Sequence, residues 1–169
     1  NIASVPTQTG SLTYNGSTQS PTWSGYDTSK MTLGGTTSGT NAGSYAATFT
    51  PKANYQWTDG TTAAKEATWT IGRATVSTHP SQSGSLTYTG SAQSPTWSNY
   101  DTAKLTIGGD TSGTNAGTYT ATFTPKSNYQ WTDGGTGAKN VNWSIGKAAG
   151  SLTLNRSSLT LNNATRTGT

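Results

Sequence analysis

The sequence has no cysteine, one histidine and one methionine, and only 9% of its 169 residues are charged. Without cysteine there is no disulfide, no thiolate nucleophile and no Cys-ligated metal site. An ordinary soluble domain is roughly 25% charged, so the salt-bridged faces of exposed helices are missing too. No apolar run approaches the roughly 18 residues of a membrane-spanning helix, and no signal-peptide pattern opens the chain. Ten basic residues against six acidic give a net charge of +4. The bases are scattered singly, so neither a nucleic-acid-binding stripe nor membrane insertion is expected. The chain starts at Asn1 rather than Met and closes in a polar tail, which reads as a fragment or processed piece of a longer protein.

Thr, Ser, Gly and Asn are abundant, and these residues are poor helix formers that favour strands or turns. A helical bundle, a coiled coil and a doubly wound α/β enzyme are therefore disfavoured. The apolar fraction of 29% is low, as in disordered chains, but disordered chains are also poor in aromatics. Here there are six Trp, eight Tyr and two Phe. Each ring buries a large area, so a few per domain can supply the core that aliphatic residues do not.

Internal repetition is the main signal. A shift of 74 places Tyr14 on Tyr88, Trp23 on Trp97, Tyr45 on Tyr119, Trp57 on Trp131 and Trp69 on Trp143. No gap is needed from Asn1 to Ala148, and 50 of the 74 pairs are identical. The expected organisation is one unit over 1–73, a second over 74–147, and a remainder over 148–169. The motif Ser151-Leu152-Thr153-Leu154-Asn155 recurs from Ser158 and reads as the opening strands of a further domain, or as strands that add to a partner's sheet edge. Gly72-Arg73-Ala74 and Gly146-Lys147-Ala148 occupy the same place in each copy. So short a junction argues for neighbours set end to end with limited bend.

Within a unit the pattern is all strand and turn. Ser11 to Tyr14 alternates before the turn-forming Asn15-Gly16. Gln19 to Trp23 contains Pro21, which argues for an edge strand. Lys30 to Leu33 is expected to stop at Gly34-Gly35. The strongest strand runs from Ser44 to Thr50, with Tyr45, Ala47 and Phe49 on one face and Pro51 as terminator. Ala67, Trp69 and Ile71 share a face of the last strand. The expected class is all-β: small β-sandwiches in tandem, arranged end to end.

The segments Tyr88-Thr89-Gly90-Ser91-Ala92-Gln93, Asn115 to Phe123, Tyr129-Gln130-Trp131-Thr132-Asp133-Gly134 and Trp143 to Ala148 resemble the bacterial immunoglobulin-like repeats of the MBG type. The first copy carries the same pattern. The tail resembles the opening of a second-family bacterial immunoglobulin-like domain. The resemblance implies extracellular modules of large surface or secreted proteins, or of phage virions, and it implies no catalytic residue or cofactor.

Candidate chemistry is sparse. The single His79 aligns with Val5, so a catalytic triad is not expected of the module, and His79 reads as a linker-strand residue. Asp27/Asp101 and Asp59/Asp133 are the only acids the copies share, and both sit at turn positions where Asp caps nearby N–H groups. As a glycosidase pair they are weak, and one Asp per loop is thin support for calcium. Lys30, Lys52 and Lys65 with Asn41 or Asn54 and Asp27 or Asp59 supply the residue types of a Lys–Asn cross-link, but solvated lysines are the simpler reading. Trp69 and Trp143 are expected in the core. Trp23, Tyr26 and Trp57, with Trp97, Tyr100 and Trp131, are the candidates for a glycan-stacking platform, and Tyr55/Tyr129 come next, although burial is favoured for the indoles. The leading expectation is a non-enzymatic stalk module, without metal or cofactor, whose partners are neighbouring domains of the same chain. A glycan-binding adhesive module, contacting a host-surface glycan or protein, is the competing expectation.

Overall fold

A computed structural model describes residues 1–150; the expected tail strands lie outside the described residues. The fold is all-β, with no helix among the described residues, and its sheets form a sandwich-like arrangement. The first copy contains β1 (Thr7–Thr9), β2 (Leu12–Thr13), β3 (Thr22–Ser24), β4 (Met31–Gly35), β5 (Gly43–Pro51) and β6 (Lys65–Gly72). The second contains β7 (Ala74–Val76), β8 (Ser81–Ser83), β9 (Leu86–Thr87), β10 (Thr96–Ser98), β11 (Leu105–Gly109), β12 (Gly117–Pro125), β13 (Tyr129–Trp131) and β14 (Lys139–Gly146).

Each copy is built on a four-stranded sheet of order β2-β6-β5-β4 or β9-β14-β12-β11. In the first, β5 pairs antiparallel with β6, placing Tyr45 opposite Trp69 and Ala47 opposite Ala67. The period-two alternation of both strands turns these residues inward. Ala47, Phe49 and Trp69 are fully buried, and Ile71 nearly so. Tyr45 stacks on Trp69 at 4.5 Å between ring centroids, and the Trp69 Nε1–H donates to the Thr36 carbonyl at 2.7 Å. The second copy repeats this with Tyr119, Trp143 and the Asp110 carbonyl. A separate two-stranded sheet, β1 with β3 or β8 with β10, carries Trp23 or Trp97. Each copy thus encloses its own apolar cluster, around Phe49 in one and Phe123 in the other. No polar or charged side chain is buried among the described residues.

The strand at Met31 ends at Gly34-Gly35 as expected, but both glycines are still paired to β5, which lies too close there for a side chain. A Cβ on Gly35 would meet the Ala46 carbonyl oxygen at 2.9 Å, and Gly35 has a φ of +70°. The sheets are also mixed: β2 pairs parallel with β6, and β7 pairs parallel with β13. In the first copy the second pairing shrinks to one bridge between Ile2 and Trp57.

Phe49→Ala is expected to destabilise the first copy by about 3–5 kcal/mol, and Phe123→Ala the second by as much. Urea denaturation with copy-resolved amide exchange checks this. Gly35→Ala, forced into a left-handed conformation against backbone, should cost about 1–3 kcal/mol by the same measurement.

Candidate functional site

The six candidate platform residues divide by depth. Trp57 and Trp131 are 1% and 0% exposed, and their indole N–H groups donate inward to the Ala63 and Gly137 carbonyls at 2.8 Å. A ring so placed offers no face to a sugar. Trp23 and Tyr26 are half-buried, both set edge-on against Phe49 at 5.0 and 5.2 Å. Trp97 and Tyr100 flank Phe123 in the same way. Edge-to-face contact is a favoured aromatic geometry in cores, so each pair of rings covers one phenylalanine and shows solvent only its outer parts. Tyr55 and Tyr129 are also partly buried.

The shared acids lie in separate turns. Asp27 Oδ1 accepts the Ser29 hydroxyl at 2.6 Å and the Ser29 N–H at 2.9 Å, and Oδ2 pairs with Lys30 at 3.1 Å. These contacts, the Ser29 hydroxyl foremost, lower its pKa from 3.8 to about 2. At Asp59 the Lys65 ammonium, 2.5 Å away, is the main cause of an even larger lowering, followed by the Thr61 hydroxyl and N–H. Asp101 is held down first by the Ala103 N–H, and Asp133 first by Lys139. Lys65 also lies over the Trp57 ring, 5.1 Å from its centroid. The Asp59 turn is therefore a polar clasp over a buried indole. No group of three or more His, Asp or Glu that could hold a metal occurs among the described residues.

The three lysines considered for a cross-link, and Asn41, are engaged elsewhere. Lys30 and Lys65 pair with Asp27 and Asp59, and Lys52 Nζ donates to the Thr28 carbonyl at 2.6 Å. Asn41 Oδ1 accepts from Asn128. His79 is more than a linker residue: it stacks flat against Trp131 at 4.7 Å and 17°, where the first copy packs Val5 against its core.

The most developed polar arrangement links the two copies, and the sequence reading passed over it. Only Arg73 separates β6 from β7. Asn128 reaches across, its Oδ1 accepting the Ala42 N–H at 2.9 Å and its Nδ2 donating to Asn41 Oδ1 at 3.0 Å. Arg73 Nε donates to the Ser127 carbonyl at 3.0 Å, and Tyr14 meets Tyr129 edge-on at 5.5 Å. The available signal was that Asn41-Ala42 and Asn54-Tyr55 recur unchanged at 115–116 and 128–129. Polar residues in loops carry no periodicity that would single them out.

Comparison with protein-family models gives no match, and comparison with curated proteins gives none either.

Because the folded carboxyls of Asp27, Asp59, Asp101 and Asp133 bind protons less readily than unfolded ones, the unfolded chain takes up more protons as pH falls. Their stabilisation is complete above about pH 4 and, for Asp27, is lost as pH falls towards about 2. Acid denaturation should show this decline, and Asp27→Asn should flatten it.

Proposed function

We propose that the chain is a non-enzymatic spacer, two β units in series that extend a larger protein, and that its units are bacterial immunoglobulin-like repeats of the MBG type. The observation that carries this reading is the junction. A one-residue connector, two side-chain hydrogen bonds from Asn128, an arginine contact and a tyrosine pair oppose bending between units, and stiffness is what a spacer requires. Repetition adds length without adding chemistry: the acids serve their own turns and most of the rings serve their own cores. The weakly charged, hydroxyl-rich surface suits an extracellular setting, on a bacterial surface protein or, as the alternative, a phage virion appendage. Both settings make the same physical demand.

Small-angle scattering with 15N relaxation tests the reading. The two units should tumble as one elongated body. Asn128→Ala should leave each unit folded, because each lost hydrogen bond is worth about 1 kcal/mol, while giving the units separate correlation times. Independent tumbling of the unaltered chain would overturn the spacer. Titration with mono- and oligosaccharides should leave indole fluorescence unchanged. A saturable shift abolished by Trp23→Ala and Trp97→Ala would favour the adhesive reading instead.

A further inference from the structure

The surface that Asn128 and Tyr129 occupy on the first copy exists a second time. Tyr88, Asn115, Ala116 and Lys147 stand 74 residues after Tyr14, Asn41, Ala42 and Arg73, with lysine for arginine the one change. Tyr14 is half-buried against Tyr129. Tyr88 is 42% exposed, the one large hydrophobic residue so exposed among those described. It borders a depression lined by Ala116, Lys147 and Ala148. The backbone around it is already in the receiving form: Tyr119 OH donates to the Asn115 carbonyl at 2.7 Å, as Tyr45 does to Asn41.

The complementary corner is also present twice. Asn54-Tyr55 on the first copy matches Asn128-Tyr129 on the second. Asn128 is engaged and is not among the residues of positive φ, whereas Asn54 is exposed and holds a φ of +74°. The same Asn-Tyr-Gln-Trp run is thus seen docked at the junction in the second copy and undocked in the first.

We propose that the face formed by Tyr88, Asn115, Ala116 and Lys147 is a docking surface for the Asn54-Tyr55 corner of a second copy of this chain, reproducing the internal junction between molecules. In this contact the Asn54 amide would bridge Asn115 and the Ala116 N–H, Tyr55 would meet Tyr88 edge-on, and Lys147 would reach the Ala53 carbonyl. A contact that joins unlike ends is heterologous, so it propagates head to tail and does not close into a dimer. Within one chain the Arg73 connector holds the partners at high local concentration. Between chains that help is absent, and association is expected only at roughly millimolar protein.

The chain lacks cysteine, so a spin label on Ala53→Cys is unique. Mixed at high concentration with the cysteine-free, 15N-labelled chain, it should broaden the amides of Tyr88, Asn115 and Ala116 and leave the β4 and β11 edges untouched. The broadening should disappear with Tyr88→Ala, whose exposed ring supports no core, and with Asn54→Ala in the labelled partner. Broadening that is absent, that falls on a strand edge, or that survives both substitutions would overturn the proposal. A rigid junction in a chain that stays monomeric would leave the spacer reading standing while removing this one.

Discussion

The contact on which the fold depends is the antiparallel pairing of β5 with β6 within one sheet, repeated by β12 with β14. It brings Tyr45 over Trp69 and Tyr119 over Trp143 and buries a phenylalanine beside each stack. A unit this poor in aliphatic residues has little else to remove from water. Burial of an aromatic side chain is among the largest single favourable contributions available to a small domain. The other elements are arranged around these rings. β4 forms the edge of the sheet and closes on β5 through glycines, the two-stranded sheet lays Trp23 or Trp97 against the phenylalanine, and the Asp59 turn folds a lysine over Trp57.

The two strands of that contact were legible in the sequence, though their pairing was not. Tyr45, Ala47 and Phe49 against Ala67, Trp69 and Ile71 is an alternation long enough to define both strands and the face each buries. The mixed pairing was not. β2, β7 and β13 are two or three residues long, too short for a period-two pattern, and whether a strand runs parallel or antiparallel leaves no mark in its composition. Gly34-Gly35 does end its strand, but the reason, a close approach of the neighbouring backbone, was not in the sequence.

The candidate sites show the same division. Buried Trp69 and Trp143 could be placed from their neighbours Ile71 and Ile145. Trp57 and Trp131 could not, because each stands next to a turn, and each is covered by a lysine eight residues further on, Lys65 or Lys139. The inter-copy contact of Asn128 was illegible for a simpler reason: a surface asparagine bonded to another loop looks like any other loop asparagine. Only the geometry distinguishes it from Asn54.

The residues on the two sides of the joint fall at fixed positions in the 74-residue period, and neither core borrows a side chain from the other copy. A genetic exchange between misaligned repeats would therefore insert or delete a whole bead while creating the same seam at the new boundary. The number of beads could change within a lineage, and no bead would have to evolve a new neighbour.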